Sequence, residues 1–131
     1  MDMAEVEQLP PEVQERIARL QQLQSMLQSL VLQRQRVDIE LSETERALKT
    51  LEKVITGSRI FKSVGSILVE MPKEEVVRDL TERKELLEIR SKALEKQENK
   101  ARERLASLQE ALQRDLGLKP PQPGLEGNSS T

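Results

Sequence analysis

The chain has no cysteine, histidine, tryptophan or tyrosine, and a single phenylalanine, Phe61. Losing cysteine and histidine together excludes disulfides, thiolate nucleophiles, imidazole general bases and the usual transition-metal ligands. Catalysis would have to rest on carboxylates, lysine, serine or threonine. Carboxylate pairs such as Glu43 and Glu45, or Glu74 and Glu75, read as solvated helix faces and caps. There is no Gly-rich phosphate loop and no nucleophile with a matching base, so no catalytic, cofactor-binding or metal-ligating residue is assigned, and the chain is not read as an enzyme. With one aromatic in 131 residues, the interior must be built from Leu, Val, Ile and Ala, the inventory of long helices packed side by side rather than of a compact α/β core.

Long apolar runs are also missing. No stretch approaches the roughly 18 residues of a membrane span, and the N-terminal MDMAEVEQLPP is acidic, without the basic and apolar regions of a signal peptide. The expectation is a soluble cytoplasmic protein, and the lack of cysteine fits a reducing compartment. Nor is there an excess of one charge: 21 basic and 23 acidic residues give a net charge of −2. Basic clusters such as Lys96, Lys100, Arg102 and Arg104 are interleaved with Glu95, Glu98 and Glu103. Nucleic-acid binding needs basic residues gathered on one face, with aromatics for stacking, and neither nucleic acid nor membrane is expected as a partner.

What is present is heptad sequence. Residues 1–9 read as a flexible lead-in, and Pro10–Pro11 with Glu12 and Glu15 signal a helix start. From Val13 a seam runs in alternating steps of three and four through 16, 20, 23, 27, 30, 34, 37, 41, 44, 48, 51 and 55, and ten of these thirteen positions are apolar. A sustained 3.5-residue period predicts a coiled-coil helix over 11–56, closed by Gly57. A second helix over 73–116 follows Pro72, with a seam through Val77, Leu80, Lys84, Leu87, Ser91, Leu94, Glu98, Ala101, Leu105, Leu108, Leu112 and Asp115. Gly117 is its cap, with Leu118 folding back. The tail over 119–131, rich in Pro, Gly and Ser, is expected to be disordered.

Between the helices, Thr56–Pro72 mixes Gly, Ser, Phe and a β-branched apolar run. It predicts a β-hairpin over 59–70 with a three-residue loop, Ser63–Gly65, and Gly65 in the left-handed position. The fold class is therefore mainly α, an antiparallel two-helix coiled-coil hairpin with a single small β-hairpin at the junction. Folding back sets Leu51 near Val77, Leu48 near Leu80, Leu41 near Leu87 and Leu20 near Leu108. An isolated hairpin is marginal in water and leaves both edges unpaired. Ile67, Leu68, Val69 and Met71 need cover, so the chain is expected to work in an assembly. Apolar density rises again at the far helix ends, through Val13, Ile17, Leu20, Leu23, Met26 and Leu27 with Ala101, Leu105, Leu108, Leu112 and Leu116. These residues either zip the ends against fraying or offer a surface to non-native polypeptide.

The succession of helix, hairpin and helix with VITGSRIFKSVGSILVEMPKEE at its centre resembles the beta class of prefoldin subunits over residues 10–118. The most specific match is Ile60-Phe61-Lys62-Ser63-Val64-Gly65, similar to that family's aromatic-Lys-x-x-Gly turn. The resemblance implies an ATP-independent chaperone, a hexamer of two alpha and four beta subunits whose hairpins form a β-barrel platform. It implies capture of unfolded polypeptide at the arm tips and delivery to a group II chaperonin. Its platform positions would be Ile60, Phe61, Val64, Gly65, Ile67, Leu68 and Val69. Its client-facing positions would be Val13, Ile17, Leu20, Leu23, Leu105, Leu108, Leu112 and Leu116. Implied partners are an alpha-class subunit, further copies of this chain, unfolded clients and the chaperonin; no cofactor is implied. The alternative is a structural coiled-coil tether or adaptor that forms a homodimer.

Overall fold

The computed structural model describes residues 8–117. The order of elements is helix α1 (Pro11–Glu52), strand β1 (Phe61–Val64), strand β2 (Ile67–Glu70) and helix α2 (Lys73–Asp115). The mainly α fold with one small antiparallel sheet between two long helices is thus as expected. Most of the lead-in (residues 1–7), Leu118 and the 119–131 tail lie outside the described residues. Two compact units share the elements: one holds Met1–Ser29 with Glu98–Thr131, the other Leu30–Gln97.

Proline sets both helix starts. The Pro10 carbonyl accepts from the N–H groups of Val13 and Gln14, each at 3.0 Å, and the Pro72 carbonyl accepts from Glu75 at 3.1 Å and Val76 at 3.2 Å. Glu12, and Glu74 with Glu75, lie in the first turns, where the helix dipole favours negative charge. The Gln14 side chain donates to the Leu9 carbonyl at 2.7 Å and ties the lead-in to the first turn.

The end of α1 differs from expectation. The helix stops at Glu52, not 56, as Lys53 and Val54 donate to the carbonyls of Thr50 and Leu51 at 3.1 and 3.2 Å, bonds one residue tighter than helical ones. Gly57 caps no helix. It sits in a separate turn in which Ser58 donates to the Ile55 carbonyl at 3.0 Å, with the Gly57 φ at 93°. Ile55, expected as the last seam position, is consequently 80% exposed. At the other end, α2 finishes at Asp115 and the Gly117 N–H donates to the Arg114 carbonyl at 3.1 Å.

The seams carry the core. On α1 every seam position from Val13 to Leu51 is buried or half-buried, as is every position on α2 from Val77 to Leu112. Buried apolar residues are Val13, Leu23, Ala101 and Leu112 in one unit and Leu30, Leu51 and Leu87 in the other. Polar seam positions find partners. The Thr44 hydroxyl donates to the Glu40 carbonyl one turn back at 2.8 Å, and the Ser91 hydroxyl donates to Asp38 at 2.6 Å. Lys84 pairs with Glu88 at 3.9 Å and Arg34 with Asp38 at 3.5 Å. The fully buried Glu98 lies 3.6 Å from Arg102.

Cross-helix pairs fix the antiparallel alignment within each unit. In Leu30–Gln97 these are Ser91 with Asp38 and Arg83 with Glu40; Leu48 shares a groove with Val77 and Thr81, and Val37 one with Ala93 and Leu94. In the other unit Arg16 binds Asp115, and Leu23 lines a groove with Leu108 and Ala111. Asp115, placed in the seam by its spacing, acts as an ion-pair partner.

Candidate functional site

The hairpin is built by its turn. Val64 pairs with Ile67, so the loop is the two residues Gly65 and Ser66, not the expected three. Gly65 has φ 60° and Ser66 does not have positive φ. Glycine with positive φ at the first central position is the signature of the type II′ turn, whose twist matches that of the flanking strands. Ser63 and Val64 accordingly belong to β1. Past the last pair, Phe61 with Glu70, the Met71 N–H donates to the Ile60 carbonyl at 2.9 Å.

Paired residues share a face of the sheet. One face carries Phe61, Ser63, Leu68 and Glu70; the other carries Lys62, Val64, Ile67 and Val69. Neither face is covered: exposure runs from 39% at Val69 to 70% at Leu68, with Phe61, Val64 and Ile67 between. Among the expected platform residues only Ile60 is half-buried. With two strands in the sheet, β1 and β2 each keep one edge without a strand neighbour among the described residues. Apolar faces and open edges together are the arrangement that other strands can complete.

Ion pairs brace the hairpin. Arg59 donates through Nε to Glu70 Oε1 at 3.0 Å and through Nη2 to Oε2 at 3.1 Å, and its guanidinium carbon stands 5.3 Å from the centre of the Phe61 ring. The hydrogen-bonded Glu70 carboxylate holds the Arg59 guanidinium above its usual range. On the opposite face Lys62 lies 3.9 Å from Asp79 of α2. No sequence signal named Arg59 or Glu70, because their meeting depends on the strand register.

At the helix ends, Val13, Leu23 and Leu112 are buried, Ile17, Leu20, Leu105 and Leu108 are half-buried, and Leu116 is exposed. Met26 is also exposed, and a groove of about 470 Å³ is lined by Leu23, Leu108 and Ala111 together with Arg19, Glu103, Arg104 and Ser107. The Arg16 guanidinium, bonded to Asp115, is held above its usual range first by that hydrogen bond and then by the carboxylate charge. Leu32, Ile39, Leu86 and Ile89 are exposed apolar residues that seam positions do not include. Leu32 and Ile39 could be found from their seven-residue step off the seam; Leu86 and Ile89 carry no such step. Among the described residues no cluster of carboxylates could hold a metal ion, and no helix is long and apolar enough to cross a membrane.

The family model described as "Prefoldin subunit" matches residues 14–118. "Prefoldin subunit beta" of Archaeoglobus fulgidus is 50% identical over 106 residues, 81% of this chain and 91% of that protein. The chain belongs to the prefoldin family, in its beta class. Prefoldin subunit beta of Pyrobaculum neutrophilum is 40% identical over 110 residues, covering 84% of this chain and 87% of that one. The crystal structure of the prefoldin beta subunit from Thermococcus strain KS-1 superposes with a TM-score of 0.76 at 38% identity, over 86% of this chain and 97% of that one. As a prefoldin subunit the chain falls in a chaperone family, and its single hairpin and two heptad helices are the elements over which that match extends.

Proposed function

We propose that the chain is an ATP-independent chaperone subunit of the cytoplasm, working in a hetero-hexamer of two alpha-class and four beta-class subunits. The hairpins join through Ile60, Phe61, Val64, Gly65, Ile67, Leu68 and Val69 into a shared β platform. The helix ends, through Ile17, Leu20, Leu105, Leu108 and Leu116, hold unfolded polypeptide, keep it from aggregating and pass it to a group II chaperonin, while Val13, Leu23 and Leu112, which share the expected tip but are buried, pack those ends together. The single observation that carries this reading is the hairpin: four-residue strands with apolar side chains exposed on both faces and two open edges, a form that is marginal in water alone and gains from cover by further strands.

The function asks little of any one residue. Apolar contacts at several helix ends, each weak and quickly released, sum through effective concentration into useful affinity, and no bond is made or broken. The seam leaves such contacts available, since Leu108 and Leu116 are not fully covered by their own pair of helices. The test is suppression of aggregation. A denatured enzyme diluted into buffer with this chain and its alpha-class partner stays soluble without ATP, and refolds when a group II chaperonin and ATP are added. Aggregation as fast as with an inert coiled coil defeats the reading and leaves the tether in its place.

A further inference from the structure

We propose that Arg59 is a positioning residue for subunit assembly. It locks the open end of the hairpin, and with it the Phe61 ring, in the form that a joining chain meets. The inference rests on the hairpin being the assembly surface.

The hairpin has one closed end and one open end. Gly65 and Ser66 close the first; at the second, beyond the Phe61 and Glu70 pair, the chains part towards the helices and one main-chain bond, Met71 N–H to Ile60 carbonyl, remains. Four paired residues per strand do not by themselves hold a hairpin rigid in water. Arg59 lies two residues before Phe61. With the period of two that strands impose, it falls on the same face as Phe61 and Glu70. From there it makes a two-point contact with the carboxylate at 3.0 and 3.1 Å and covers the ring at 5.3 Å.

Exposed ion pairs usually contribute little, and the exceptions are those with planar, two-point arginine geometry. Here the same guanidinium also stacks on an aromatic ring, a combination that a lysine ammonium cannot supply. Breaking the pair frees both the strand ends and the ring. The effect on a lone chain is small, because the helices hold their own structure. It grows on association, where a joining strand would have to order the hairpin as well as bind it. Lys62 and Asp79, 3.9 Å apart on the other face, tie the hairpin to α2.

The experiment uses the full chain with its alpha-class partner and follows assembly by native mass spectrometry over a dilution series at low and high salt. Arg59→Gln and Glu70→Gln each weaken association by about fivefold for every hairpin engaged and flatten its salt dependence. Arg59→Lys recovers only part of the loss. The exchange Arg59→Glu with Glu70→Arg recovers most of it. Far-UV circular dichroism stays that of the parent throughout. Parent-like association of Arg59→Gln, or an exchange no better than the single variants, overturns the role given to Arg59. Ile67→Ser with Leu68→Ser separates this from the reading beneath it. If that variant fails to assemble while Arg59→Gln assembles normally, only the positioning role falls; if that variant also assembles normally, the hairpin is not the assembly surface and both fall.

Discussion

Ser91 on α2 donates its hydroxyl hydrogen to Asp38 on α1 at 2.6 Å, and Asp38 also lies 3.5 Å from Arg34 of its own helix. A seam position too short and polar to pack is thereby turned into a cross-helix tie that fixes the alignment of the helix segments within Leu30–Gln97. Ser91→Ala removes one hydrogen bond and leaves Asp38 its arginine, so the expected loss is about 1 kcal/mol. Thermal unfolding at fixed protein concentration measures it. Asp38→Ala, which takes the acceptor from Ser91 and one ion-pair partner from Arg34, costs more.

Leu87 is fully buried while its neighbours Leu86 and Ile89 are exposed. Leu87→Ala is expected to destabilise by about 2–5 kcal/mol through lost burial and the cavity left behind. Leu86→Ser and Ile89→Ser should stay within about 0.5 kcal/mol of the parent. Denaturant midpoints of the three variants check the contrast, and equal losses would show that the α2 seam is misplaced.

Much of this was legible beforehand. The 3.5-residue period of leucines located both seams, and Pro10–Pro11 and Pro72 located both starts, because periodicity and proline act locally. The hairpin loop is not legible in the sequence, because Gly65 can end a three-residue loop or open a two-residue one. The choice has consequences: a three-residue loop would set Phe61 opposite Ile67, whereas the observed register sets it opposite Glu70. An odd shift in register moves side chains to the other face, so the contact between Arg59 and Glu70 was invisible until the register was known. The α1 end at Glu52 was missed in the same way, since Gly57 serves a turn of its own rather than a helix cap. The seam period marks Val13, Leu23 and Leu112 as core positions, and they are buried; which apolar residues at the helix ends stay open to a client is not legible from the same period, because it marks covered and uncovered leucines alike.

Gly65 at φ 60° has open space around it, with nothing within 4 Å of where a side-chain carbon would stand. The cost of a side chain is therefore conformational, about 1–3 kcal/mol for Gly65→Ala. Gly65→Asn should cost about as much, because the first position of a type II′ turn lies outside the left-handed α region that asparagine tolerates. Association with the proposed alpha-class partner, read by sedimentation velocity, is expected to fall in both variants while helix content stays constant.

Leu112 is buried at the helix end and Leu116 and Met26 are exposed, so stability and client binding can be separated. Met26→Ser with Leu116→Ser is expected to slow aggregation suppression by several-fold at unchanged melting temperature. Leu112→Ala lowers the melting temperature through lost packing, by about 2–5 kcal/mol of stability. Light scattering of a denatured client, beside calorimetry of the same samples, distinguishes the two effects.

The central claim is that the exposed hairpin joins this chain to unlike subunits, and native mass spectrometry of the complex recovered with the chain from its own cell tests it most directly. A hexamer of four copies with two copies of a larger, two-hairpin subunit is the predicted result. A homodimer with no second kind of subunit would contradict the platform and favour the tether.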